Sequence, residues 1–157
     1  MLKSERQRAV AAAQVASFAG DATKKRAFKG TSKTAIARTR AEAERMRLER
    51  SWGDAKPGHL VALYAWCHEQ VYGVAPAELS GLDWSGAAAM AAKLVRDEFG
   101  GKMAEVIEFM RWLWRREKAR EKWRRDNDRE GGRISWRTQF KGGACVTDYR
   151  IDKARRK

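Results

Sequence analysis

Two amphipathic stripes fix the centre of this chain as helical. Leu60, Leu63, Tyr64, Cys67, Val71 and Tyr72 recur at three- and four-residue steps, and so do Met103, Val106, Ile107, Met110, Leu113 and Trp114. A strand alternates at every second residue, so this spacing puts each set on one face of a helix. Pro57 suits a first helical turn, and Gly73 ends that helix. Residues 75–84 read as a connection, after which Ser85 introduces a helix over 87–99 that Gly100-Gly101 stops. Lys102 opens the longest helix, reaching about Asp126, or about 37 Å at 1.5 Å per residue. Only two prolines interrupt 157 residues, and alanine, arginine, glutamate and lysine dominate the polar stretches. The fold class is mostly α: a small helical bundle with a long basic C-terminal helix.

Outside the stripes the sequence changes character. Residues 1–50 read as a basic N-terminal arm, partly helical. Residues 51–130 form a helical core with a projecting basic helix, and 131–157 form a basic C-terminal tail. Within the arm, alanine-rich 9–16 suits a short helix and 20–30 a glycine-bounded linker. Ser32 or Thr34 can cap a helix through about Arg50, but Ile36, Met46 and Leu48 make no continuous stripe there. So little burial opposes chain entropy that residues 1 to about 30 are expected to be mobile when unbound, and 34–50 only weakly anchored. In the tail, Ile134, Trp136 and Phe140 alternate with polar residues. Two readings stay open: a hairpin around Lys141-Gly142-Gly143, or a short helix through Trp136. Residues 152–157 are expected to fray.

Charge decides among partners. Thirty-four lysines and arginines against twenty acids leave +14. Residues 1–50 carry +8, 51–110 carry −4 and 111–157 carry +10. A field this positive concentrates polyanions. On the long helix, Arg111, Arg115, Lys118, Lys122 and Arg125 recur at steps of four, three, four and three, with Arg116, Arg120 and Arg124 beside them. Cations at one-turn intervals on one face suit a phosphate backbone, with counterion release supplying affinity. The plainer alternative is a solvated helix with pairs such as Glu117–Arg120 and Glu121–Arg125.

Seven tryptophans add aromatic surface. Trp66, Trp84 and Trp114 lie among apolar neighbours and read as core. Trp52, Trp112, Trp123 and Trp136 sit beside arginines, where each can stack on a base or pack against the protein itself. Trp123 is the one most expected to be exposed. Arg133 and Arg137 extend the basic surface into the tail. In the arm, Lys24, Lys25, Arg26, Lys29, Lys33, Arg38 and Arg40 suit backbone tracking or, equally, solubility.

Other classes find little support. Cys67 and Cys145 make no disulfide framework, which suits a reducing compartment. No apolar run approaches the roughly 18 residues of a membrane span, and Met1 to Arg6 do not begin a secretory signal. A soluble, cytoplasmic protein is expected. His59 and His68 are the only histidines, and His68 beside Cys67 on an apolar helix reads as core. Metal-ligand spacings and nucleotide-binding glycine loops are missing, so no cofactor, metal or enzymatic activity is expected. Asp97, Glu98, Glu105 and Glu108 read as a solvated acidic face or as a docking patch for the chain's own basic flanks.

Three segments carry a resemblance: Phe109-Met110-Arg111-Trp112-Leu113-Trp114, Ile134-Ser135-Trp136 and Asp148-Tyr149-Arg150-Ile151. With them, residues 90–151 resemble the carboxy-terminal region of small phage and mobile-element replication or DNA-binding proteins. There a helix pair ending in a tryptophan- and basic-rich helix precedes an Ile-Ser-Trp segment and a closing Tyr-Arg. The chain departs from such proteins in having no winged-helix pattern ahead of this region. The resemblance implies DNA binding in a phage setting, within a bacterial host cell. The expected partner is therefore nucleic acid, DNA before RNA, with a larger nucleoprotein complex as a further option, and not a membrane. The rival is a basic subunit that docks on an acidic protein or within a ribonucleoprotein particle.

Overall fold

The structure, a computed structural model, describes residues 30–77 and 79–156. The arm calls at 9–16 and at Lys24, Lys25 and Arg26 lie outside the described residues. Six helices follow: α1 (Lys33–Glu49), α2 (Pro57–Tyr72), α3 (Gly81–Phe99), α4 (Met103–Asp126), α5 (Trp136–Lys141) and α6 (Ala144–Arg155). No strand occurs among the described residues.

Helix α2 is the centre of the bundle. Apart from the half-buried first turn at Pro57 and Gly58, only Trp66, Glu69 and Gln70 of this helix reach solvent, as expected of a helix apolar on nearly every side. It packs on α1, α3 and α4, while α3 also holds α5 and α4 holds α6. Two aromatic clusters knit these contacts. Phe109 and Trp112 of α4 each lie 5.6 Å from Tyr149 of α6. Tyr64 of α2 lies 5.8 Å from Trp114 and 6.2 Å from Phe140. Residues from all three charge segments thus share one core, from Met46 through Phe109 to Tyr149.

Helix α1 is anchored by more than its sparse apolar residues suggest. The Ala35 N–H donates to Ser32 Oγ at 3.1 Å, capping its start. Ala43 and Met46 are buried. Lys56 N–H donates to His59 Nδ1 at 2.8 Å, which leaves the proton on Nε2 to donate to Glu42 at 2.8 Å. That hydrogen bond holds the Glu42 carboxyl below its usual range. His59 is therefore a strut between α1 and α2. His68, also buried, donates from Nδ1 to the Val74 carbonyl at 2.7 Å and closes the turn after α2.

Helix α3 begins four residues before the expected Ser85, with Ser80 as its N-cap residue. A backbone contact from far off in sequence meets this first turn: Thr31 N–H donates to the Gly81 carbonyl at 2.8 Å. A Cβ on Gly81 would stand 2.5 Å from the Thr31 carbonyl oxygen. Helix propensity alone makes Gly81→Ala stabilising by up to about 1 kcal/mol. The contact reverses the sign, and a loss of about 1–3 kcal/mol is expected in urea denaturation. A more stable variant would show that the Thr31 contact is dispensable.

The hairpin does not form. Thr138 N–H donates to Ser135 Oγ at 3.2 Å, so Ser135 caps a helical turn that buries Trp136 and Phe140, one turn apart, on one side. Gly142 and Gly143 follow with φ of 79° and 60° and ψ of −123° and −124°. Glycine alone enters that region at little cost, and the two residues turn the chain into α6. Trp114 Nε1 donates to buried Gln139 Oε1 at 2.6 Å, tying α5 to α4. No helix among the described residues is long and apolar enough to cross a membrane.

Candidate nucleic-acid interface

Helix α4 passes from core to surface at Arg111. Arg111, Arg115, Lys118 and Lys122 stand exposed along one side, about 6, 4.5 and 6 Å apart along the axis at 1.5 Å per residue. None of the four has a carboxylate partner among the described residues; Arg115 Nε donates only to the Arg111 carbonyl, at 3.4 Å. Like charges one turn apart repel by a few tenths of a kcal/mol per pair, about 1 kcal/mol over the row.

The neighbouring cations are different. Arg124 Nη1 lies 3.0 Å from Glu117 and 3.2 Å from Glu121. Glu117 is only 3% exposed and also accepts from the Tyr72 hydroxyl at 2.9 Å, which itself accepts from Ile134 N–H at 2.8 Å. Burial, with the Glu117 carboxylate beside it, pushes the Tyr72 hydroxyl well above its ordinary range and keeps it a donor. Arg124 is thus part of a folding network, not a free contact. Arg125 pairs with Glu121 at 3.6 Å and reaches the Val71 carbonyl at 3.3 Å. Arg116 faces Asp148 at 3.9 Å and covers the Trp112 ring at 5.0 Å.

The remaining expected contacts are scattered. Arg133 stacks over Tyr72 at 5.6 Å, and Arg137 covers Trp136 at 4.3 Å while facing Asp83 at 4.0 Å. Arg38 pairs with Glu42 at 3.9 Å, and Arg40 lies over the Trp84 ring at 5.7 Å. Trp52, Trp112 and Trp136 are buried, so none offers a free face to a base. Trp112 Nε1 donates to Asp152 at 2.8 Å. Trp123 is exposed, at 58%, as expected, yet it lies about a third of a turn round α4 from the cation row. Trp66, expected in the core, is 37% exposed, and the Arg47 guanidinium covers its ring at 4.1 Å.

Beside the row runs a groove of about 730 Å³ between α4, α6 and the C-terminal part of α2. Its walls include Trp66, Cys67, Val71, Trp112, Trp114 and Tyr149. Burial pushes the Cys67 thiol up to about 12, so it is an uncharged part of this lining. Arg111, Arg115 and Lys118 edge the groove from α4, Lys153 from α6 and Arg156 from its C-cap, with the carboxylates of Glu108 and Asp152 among them. Concavities of about 470 and 650 Å³ adjoin it at Arg115 and carry a mixed lining on to Lys122, with Glu121 and Asp126, and to Arg155, with Asp148 and Asp152.

Helix α6 is fastened to the acidic centre. Lys153 lies 3.4 Å from Glu108 and Arg150 3.2 Å from Glu98, where it also meets the Glu98 carbonyl. Glu98 and Glu108 are therefore the docking patch for a basic flank, while Asp97 turns to Arg96 at 2.8 Å. The residues that carried the phage-protein resemblance mostly serve packing: Trp112, Trp114, Trp136 and Tyr149 are buried. Trp66, Gln70, Lys153, Arg155 and Arg156 join the site without having been expected there. The polar neighbours Glu69 and Gln70 were the one local hint that the Trp66 side of α2 meets water.

Among the described residues, no group of three or more histidines, cysteines or acids is placed to hold a metal. No family model matches the chain, and neither a curated protein nor a solved structure does.

Proposed function

We propose that this chain binds nucleic acid, with DNA the expected form, by seating phosphates along the exposed cation row of α4. One contrast carries the reading. Arg116, Arg124, Arg125, Arg150 and Arg156 each face a carboxylate within 4.0 Å, whereas Arg111, Arg115, Lys118 and Lys122 have none among the described residues. Repulsion within such a row is relieved when phosphates replace diffuse counterions, and the released ions supply binding free energy. Contacts of this kind position a backbone and carry little base information. The seven lysines and arginines of residues 1–29, against two acids, extend the attraction.

Fluorescence anisotropy with a labelled DNA oligonucleotide, repeated across salt, tests the reading. Four phosphate contacts give a log–log slope of about −3 or steeper. Failure to bind at low salt would reject it, as would affinity that salt leaves unchanged. A partner retained after nuclease digestion, with no affinity for bare DNA or RNA, would favour docking on an acidic protein.

A further inference from the structure

We propose that the groove beside α4 takes a single strand rather than a duplex, with bases turned to its aromatic lining and phosphates on the cation row. This rests on the phosphate-binding reading above and names the form of nucleic acid that the site fits. The row alone would suit either form; the lining does not.

The floor of the groove carries Val71, the uncharged Cys67 thiol and the edges of the buried Trp112 and Trp114. Glu108 and Asp152 lie on its rim beside the cations, and Trp66 is the one indole of the lining that is exposed. A duplex keeps its base faces stacked inside and presents phosphates and sugars outward. Seated here, it would desolvate the exposed Trp66 ring and return nothing to it. A single strand offers both chemistries at once: phosphates at regular intervals for the row, and a free base face for Trp66.

Trp66 is the platform this arrangement provides. The Arg47 guanidinium, 4.1 Å from the ring centroid, fixes the indole from one side. Its ring stands where the groove meets a smaller cleft between α1 and α2, and it keeps exposed surface. A ring already held loses less freedom when a base stacks on it. An acidic peptide with apolar side chains meets the same rim. The regular cation spacing and the exposed Trp66 ring favour the strand.

The test compares the full chain's affinity for labelled oligothymidylate with that for a duplex DNA of equal length, at matched salt. Single-strand binding at least about tenfold tighter is expected, because each stacked base contributes about that factor. Trp66→Ala should weaken single-strand binding about tenfold and leave its salt slope unchanged, since stacking releases no counterions. Trp66→Phe should retain most of the affinity, and a thermal melt confirms that both variants are folded. Duplex bound as tightly as the single strand would overturn this inference and leave the phosphate reading standing. Binding of neither form would overturn both, as would capture of an acidic apolar peptide by a chain that ignores oligonucleotides.

Discussion

Replacing Arg111, Arg115, Lys118 and Lys122 together with glutamine should weaken oligonucleotide binding by roughly a hundredfold near physiological salt. The salt dependence should flatten as well, by about 0.7 per lost contact on a single strand, or roughly 3 in the log–log slope. Folding should be spared. All four side chains are exposed and without carboxylate partners, and removing their mutual repulsion adds up to about 1 kcal/mol of stability. Anisotropy reads the binding and a urea titration the stability. An unchanged slope would mean that phosphates do not sit on this row.

Arg124→Met should behave in the opposite way, destabilising the fold by about 2–3 kcal/mol. Its guanidinium is the cation nearest to Glu117, at 3.0 Å, and Glu117 is almost wholly buried. Removing it strands a buried carboxylate on the Tyr72 hydroxyl alone, and losing one partner of a buried pair commonly costs about 3–5 kcal/mol. The expected figure is set lower because Arg124 itself reaches solvent and Glu121 shares it. Adding Glu117→Met should restore most of the loss, because an apolar pair replaces a stranded charge. Urea denaturation of the single and double variants checks both steps. A single variant within about 0.5 kcal/mol of the parent would show the network to be unimportant. The folded fraction of Arg124→Met should bind nucleic acid with nearly the parent's salt slope, since Arg124 is already neutralised.

What the sequence made legible follows from which interactions are local. The stripe from Leu60 to Tyr72, closed by Pro57 and Gly73, defines α2 almost to the residue. The stripe from Met103 to Trp114 likewise defines the first half of α4. The cation row was legible for the same reason, since three- and four-residue spacing is a property of one helix. Partners from afar were not. Local spacing offers Glu117 a pair with Arg120 in the plainer alternative; the fold gives it Tyr72, from another helix, and Arg124, two turns on. Adjacency to arginine leaves both base stacking and inward packing open for Trp112 and Trp136; helix neighbours point about 100° apart, and both rings turn inward. The start of α3 had a local signal that the choice of Ser85 passed over, the Ser-x-x-Asp pattern of Ser80 and Asp83, whereas the Thr31 contact on that turn comes from afar. In the tail, alternation of Ile134, Trp136 and Phe140 fitted a strand. The one-turn spacing of Trp136 and Phe140 prevailed once Ser135 capped the helix and α3 received their rings.

The central claim is that position, and not net charge, makes the α4 row bind. A chain of +14 attracts any polyanion to some degree, so the decisive measurement is a charge-matched comparison. One variant carries glutamine at Arg111, Arg115, Lys118 and Lys122. The other carries it at Lys33, Arg45, Lys93 and Lys102, four exposed cations away from the groove. These likewise have no carboxylate within 4.0 Å among the described residues, Arg45 and Lys93 acting on Glu42 and Asp97 only at longer range. Salt-dependent anisotropy with the same single-stranded probe should show slope and affinity collapsing in the first and staying near the parent's in the second. Equal losses in the two would contradict the account and reduce the binding to bulk electrostatics.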